Sequence, residues 1–293
     1  MFGVGAAVVL GPLNGGMEYP VAFRREQGAL ANLGITLGRG FANFLNMLLP
    51  GKRRASLILV ANRRTRDALP RAIKGRVVEL VENGVDFSVW CNASDRITSI
   101  ENAPVRFVFV GRLVDWKAIE IILEATRRVR LDVAMSLEII GEGPMRNTWQ
   151  EQAERMGLSG TVTFSGWMSQ PDCARRLQQS DVFLLPSLFE CGGAVVLEAM
   201  AMELPVIATA WGGPVDYLDD TCGVLVQPSS REALIAGFAD AMKALALSLD
   251  LRQRLGLAGL QRVRQFFDWE RKIDQILDLY RTALKSSSTG VSR

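Results

Sequence analysis

From about residue 105 the sequence alternates between short β-branched apolar runs and longer polar–apolar stretches. That alternation restricts the fold more than any other feature. VRFVFVGRL reads as a strand, and WKAIEIILEATRRV as an amphipathic helix with apolar positions three and four apart. SLEIIGEGP and MRNTWQEQAERMGL repeat the pair. TVTFSGW precedes SQPDCARRLQQ, DVFLLPS precedes GGAVVLEAMAME, and PVIATAWGG leads through a turn to CGVLVQP. Runs that are apolar on both faces and separated by helices predict a parallel sheet covered on both sides. Right-handed crossovers make such an α/β sheet doubly wound and Rossmann-like. The tail from Arg231 reads as helical throughout, ending in a frayed KSSSTGVSR.

The first hundred residues carry the same texture less regularly. GAAVVLGPLNGG is a strand entering a Gly-rich loop, ASLILVANRRTRDALP a buried strand and the start of a helix, and RVVELVENGVDFSVW a strand ending at the Asn83-Gly84 turn. Residues 92 to 104, NASDRITSIENAP, are polar and serve as the expected linker. Residues 1 to 100 hold 13 Lys and Arg against 7 Asp and Glu, so the net charge of +3 conceals a basic first third. Such a surface faces phosphates, an anionic membrane or simply solvent. No apolar run reaches the roughly 18 residues that cross a bilayer. Cys91, Cys173, Cys191 and Cys222 lack metal-site spacing and read as reduced thiols of a cytoplasmic protein. Histidine is absent, which removes Ser-His-Asp and Cys-His catalysis and every His-ligated metal.

Three stretches carry the candidate chemistry. In GRLVDWK, Arg112 follows a strand and Lys117 opens the next helix. Cations beyond the carboxyl end of a parallel strand suit a diphosphate, and two surface cations on a loop are the plain alternative. GEGPMR has two glycines of a dinucleotide fingerprint, but Arg146 stands at the third, so a tight strand-to-helix turn is the better reading. In ECGGAVVLE, Glu190 lies in a loop after a strand, Gly192 and Gly193 admit close backbone approach, and Glu198 sits about one and a half turns into a helix. Carboxylates accept hydrogen bonds from vicinal hydroxyls, and helix-start amides attract phosphate. Together they suit a nucleoside diphosphate sugar; a loop Glu plus a helix Glu paired with an Arg is the structural alternative.

The order of these motifs resembles one family. GRL…K, E-x7-E, EAMAMELPVIAT, GG, GVLV and FFDWE…Y follow one another as in the retaining glycosyltransferases of the GT-B fold, family 4, also called glycosyl transferases group 1. The likeness covers roughly residues 105 to 285, and GPLNGG and NGVD fit the latter part of that family's N-terminal lobe. It implies residues 1–102 as an acceptor-side lobe, 103–267 as the nucleotide-sugar domain and 268–293 as a helix crossing back to the first lobe. It also implies that Arg112 and Lys117 neutralise the donor diphosphate and that the amides of Gly192, Gly193 and Ala194 contact phosphate and sugar. Glu190 would hold donor-sugar hydroxyls, Glu198 the ribose, and the backbone of Gly166, Trp167 and Met168 would edge the nucleobase. The implied reaction is glycosyl transfer with retention from a UDP- or GDP-linked sugar to a sugar or lipid-linked acceptor, with no metal and no cofactor.

Several positions depart from the family pattern. Cys191-Gly192 replaces an aromatic and widens the expected donor pocket. Ala118 and Glu203 stand where glycine is common, and Asp216 replaces a Glu. The first lobe is about half the family's size, so Met1 reads as an internal methionine of a longer enzyme. A donor-binding but catalytically incomplete fragment is therefore the rival expectation, with a GT-B epimerase behind it. Phe41, Phe44, Leu45 and Leu48 followed by Lys52, Arg53 and Arg54 fit an amphipathic helix. It either packs into the lobe or lies on the inner face of a membrane. No nucleic-acid partner is expected.

Overall fold

The computed structural model describes residues 6–24, 38, 41, 44, 45, 51–91 and 103–288. Two units emerge. One comprises Met1–Glu18, Arg24–Gly84 and Trp269–Arg293, the other Tyr19–Phe23 and Val85–Asp268. The boundary falls at Gly84, where the Val85 amide donates to the Phe267 carbonyl at 2.8 Å and joins residues 85–91 to the second unit. Most of the polar stretch 92–104 lies outside the described residues.

The first unit holds a three-stranded parallel sheet in the order β1 (Val9–Leu13), β2 (Leu57–Val60), β3 (Arg76–Glu79). Short helices α1 (Gly51–Arg54) and α2 (Arg63–Asp67) flank β2. Asn62 caps α2, accepting from the Thr65 amide at 2.9 Å. Phe41, Phe44 and Leu45 are helical and exposed, whereas Leu48 lies outside the described residues. Among the described residues no helix is long and apolar enough to cross a membrane.

The second unit is a six-stranded parallel sheet. Its strands are β4 (Val105–Val110), β5 (Met135–Ile140), β6 (Val162–Gly166), β7 (Val182–Leu185), β8 (Val206–Thr209) and β9 (Gly223–Val226). Their order, β6-β5-β4-β7-β8-β9, winds outward from β4 in one direction and from β7 in the other. It is the doubly wound arrangement that the alternating apolar runs predict, and β7 and β8 are buried at every position. Helices α3 (Ile119–Val129), α4 (Arg146–Arg155), α5 (Gln170–Gln178), α6 (Ala194–Ala201), α7 (Pro214–Tyr217), α8 (Arg231–Leu247) and α9 (Leu249–Phe266) complete it. Reversal of the strand order places a crevice beyond the carboxyl ends of β4 and β7, the position where open α/β sheets bind ligands.

The tail is not one continuous helix. Ser248 is extended and its hydroxyl accepts from the Leu251 amide at 3.1 Å, ending α8 and capping α9. A second break at Phe267–Asp268 precedes α10 (Trp269–Ser288). Ile276, Leu279 and Ala283 of α10 pack on Leu57 and Leu59 of β2 and on Leu80, just past β3.

Both glycine departures fall on left-handed backbone. Ala118 has φ 50° and Glu203 φ 62°. Beyond α6, the Glu203 amide donates to Met200 and the Leu204 amide to Ala199, both at 3.0 Å. These are the paired bonds of a Schellman end, whose left-handed residue is usually glycine. A left-handed residue with a Cβ costs about 1–2 kcal/mol, and glycine's greater unfolded freedom returns about 0.5–1. Glu203→Gly therefore raises stability by about 0.5–1 kcal/mol, read as a higher denaturation midpoint at unchanged slope. An unchanged or lower midpoint would contradict this reading of the turn.

Candidate functional site

Four loops meet above the carboxyl ends of β4 to β7, and backbone bonds tie them in series. Gly141 donates to the Gly166 carbonyl at 2.8 Å, Leu113 to Glu142 at 2.8 Å, and Leu188 to Trp116 at 2.8 Å. The GEG stretch serves this stitching. A Cβ on Gly143 would lie 2.2 Å from the Leu113 carbonyl oxygen. Arg146, in the third fingerprint position, is paired with Glu142. The turn reading of these glycines accounts for them without a dinucleotide.

Lys117 does not open α3. It closes a single 3-10 turn, Asp115–Lys117, and the left-handed Ala118 separates that turn from Ile119. The turn carries the Lys117 ammonium across the switch point to Glu190, with which it forms an ion pair, each side chain only 13% exposed. Arg112, on the same loop, is exposed and makes no ion pair among the described residues. The loop thus presents one guanidinium with no ion pair among the described residues and one ammonium whose partner is a carboxylate.

The glycines after Glu190 shape the other wall. Gly193 has φ 70°, and a Cβ there would lie 2.9 Å from Glu190 Cγ. Glycine lets the Glu190 side chain fold back beside the start of α6. The Gly213 amide donates to the Glu190 carbonyl at 2.7 Å, holding this loop against the one after β8. Gly193, the N-cap of α6, supplies no side-chain cap. The amides of the first turn, from Ala194, are therefore available to an anion.

Glu198, farther along α6, forms no ion pair among the described residues, so the structural alternative of a helix Glu paired with an Arg does not hold. Burial without a partner pushes its carboxyl up from 4.5 to about 7. Its charge in turn helps raise the Cys173 thiol, behind burial as the larger cause. Cys173, on α5, has its Sγ 3.9 Å from the Met168 carbonyl oxygen in the segment after β6. There Gly166 takes φ 75° and Trp167 is 75% exposed. Met168 edges an open cavity of about 340 Å³ with Asp172, Arg175, Arg176 and Gln179.

Sequence reading missed two features. The Lys117–Glu190 pair joins residues 73 apart, and only the β4–β7 adjacency brings them together. Phe189, beside Glu190, stacks on Tyr19 with ring centroids 5.5 Å apart. The aromatic in LFE was the available signal, but nothing in it named a partner in the first twenty residues.

The chain is similar to known proteins in sequence and in fold. The profile of the family described as glycosyl transferases group 1 matches residues 92–262. The D-inositol 3-phosphate glycosyltransferase of Kribbella flavida is 30% identical over 224 residues, covering 71% of this chain and 52% of that protein. Sucrose-phosphate synthase from Thermosynechococcus elongatus superposes with a TM-score of 0.67 at 25% identity, over 80% of this chain and 60% of that one. Anabaena HepE, solved in complex with UDP, gives 0.65 at 20% identity, over 79% and 65%. The chain spans about half the length of the curated relatives it matches.

Proposed function

Because the chain belongs to the glycosyl transferases group 1 family and has its GT-B fold, we propose that it binds a nucleoside diphosphate sugar at the β4/β7 switch point and transfers the sugar to an acceptor hydroxyl. The observation that carries this reading is the Lys117–Glu190 pair beside an uncapped helix start, with Arg112 on the same loop. Arg112, Lys117 and the amides of Gly192, Gly193 and Ala194 offset the diphosphate charge, which grows as the leaving group departs. Once phosphate takes the ammonium, Glu190 is free to accept hydroxyls of the donor sugar. Glu198 accepts the ribose diol, and the backbone of Gly166, Trp167 and Met168 borders the base. The lack of histidine leaves charge stabilisation to these groups. We assign the enzyme to the retaining family 4, with a UDP- or GDP-linked donor, no metal in the diphosphate site and a sugar or lipid-linked acceptor.

Every proposed donor contact lies in the second unit, Val85–Asp268. That favours a second reading, in which the chain binds donor without turning it over. Proton NMR of UDP- and GDP-sugars incubated with the full chain and simple glycoside acceptors separates the two. Released diphosphate with a product of unchanged anomeric configuration supports transfer with retention. An inverted product contradicts the family 4 assignment, and a donor that binds but is not consumed supports the second reading.

A further inference from the structure

The short stretch YPVAF, Tyr19–Phe23, lies far in sequence from the rest of the second unit, yet it is part of that unit. The residues on either side of it, Glu18 and Arg24, belong to the first. Tyr19, Pro20 and Phe23 are buried, whereas Val21 and Ala22 are exposed. The Phe23 amide donates to the Pro20 carbonyl at 2.8 Å and closes a 3-10 turn. Arg24 pairs with Glu18 at 2.8 Å across the two ends of the stretch. That pair is exposed and adds little stability, so burial of the two rings is what seats the stretch. Tyr19 meets Phe189 with ring centroids 5.5 Å apart and planes tilted by 31°. The separation falls inside the roughly 4.5–7 Å at which offset aromatic pairs attract.

Phe189 is the middle residue of a clamp. Before it, the Leu188 amide donates to the Trp116 carbonyl at 2.8 Å. After it, the Glu190 carbonyl accepts from the Gly213 amide at 2.7 Å. The backbone is tied at both ends of these three residues, and the half-buried Phe189 ring against Tyr19 is the third tether. The Glu190 side chain leaves the clamp toward Lys117, with Gly193 beside its stem. In the empty site the ammonium also holds the carboxylate. Under the donor reading above, phosphate takes that ammonium, and the clamp alone then sets the direction of the carboxylate.

We propose that Tyr19 is a positioning residue for Glu190: its ring, through Phe189, aims the carboxylate at the donor sugar once phosphate engages Lys117. Tyr19 acts through Phe189 and is not itself a catalytic residue. This role rests on the donor-site reading and adds to that site a residue outside the E-x7-E stretch.

Calorimetric titration of the full chain with UDP and UDP-glucose, and with GDP and GDP-mannose, tests it. Tyr19→Leu keeps an apolar side chain and removes the ring. It is expected to weaken sugar-nucleotide binding about three- to tenfold, the worth of an aromatic pair, and free diphosphate binding by less than about twofold. Tyr19→Phe keeps the ring and stays within about twofold of wild type for both ligands. Phe189→Leu removes the opposite ring and gives the same split, so the result does not depend on one variant folding. In a Glu190→Gln background, Tyr19→Leu changes sugar-nucleotide affinity by less than about twofold, because the group it aims has lost its charge. A purely structural role would move both ligands together and would ignore Glu190→Gln. Equal losses for both ligands, a loss that persists in Glu190→Gln, or a Tyr19→Phe as damaging as Tyr19→Leu overturns the proposal and leaves the donor reading standing. A wild-type chain that binds none of the four ligands overturns the donor reading and this proposal with it.

Discussion

Glu190→Gln is expected to separate diphosphate binding from sugar binding. The substitution keeps the shape of the loop and removes the charge that now holds Lys117. The free nucleoside diphosphate then binds as tightly as to wild type or tighter, since its phosphates no longer compete with a carboxylate for the ammonium. The sugar-linked form loses its advantage, because an amide accepts hydroxyl bonds less well than a carboxylate. A charged acceptor is worth about 1.5–3 kcal/mol per hydrogen bond, so affinity for the sugar nucleotide falls about 10- to 100-fold. Turnover falls further, by about 10²–10³-fold, if Glu190 also stabilises charge developing near the reacting sugar. Titration of both ligands and initial-rate measurements check this. Equal losses for diphosphate and sugar nucleotide would show that Glu190 acts on the phosphate side or only on the loop. Removing the carboxylate also leaves Lys117 poorly compensated, so a lower melting temperature is part of the expected result.

The second large effect concerns Glu198, and its sign is opposite. Its carboxyl is raised from 4.5 to about 7 by burial, so folding takes up a proton there between those values. The contribution of this group to stability is full below about pH 4.5 and is lost as pH rises through 7. The shift corresponds to roughly 3 kcal/mol at pH 8, at about 1.4 kcal/mol per pK unit. Glu198→Gln is therefore expected to stabilise the unliganded chain by about 2–3 kcal/mol at pH 8 and to leave it nearly unchanged at pH 4. Denaturant melts at the two pH values measure the difference. The same variant binds donor about 30- to 100-fold more weakly, because a neutral amide replaces the acceptor of the ribose diol. Wild-type affinity itself falls as pH drops below 7, since the carboxyl must lose a proton to accept both hydroxyls. A residue that weakens the empty fold yet strengthens the complex is what a binding site predicts and a purely structural glutamate does not.

Strand existence was legible because β7 and β8 are short buried runs, VFLL and VIAT, and β4 and β5 are apolar runs broken only by Arg106 and by Ser136 and Glu138, all between helical periodicities. Strand order was not, and it decides the site: β4 pairs with β7, which makes neighbours of Lys117 and Glu190. The helix breaks at Ser248 and Phe267–Asp268 were hidden by continuous helical periodicity on both sides. The turn at Asp115–Lys117 escaped because Lys117 suits a helix start as well as a 3-10 turn. Ala118 and Glu203 marked left-handed backbone only through the glycines the resembled family places there. For Glu198, the letters show a carboxylate among apolar neighbours but not whether an arginine from another element reaches it.

The central claim is that the switch point binds a nucleoside diphosphate through the loop after β7 and the start of α6, from Glu190 to Glu198. Isothermal titration of the full chain with UDP, GDP and ADP, repeated on Glu198→Gln, tests it most directly. The account predicts saturable one-to-one binding of at least one diphosphate, UDP or GDP ahead of ADP, weakened about 30- to 100-fold by the substitution. No heat from any of the three, or a binding constant that Glu198→Gln leaves unchanged, would contradict it.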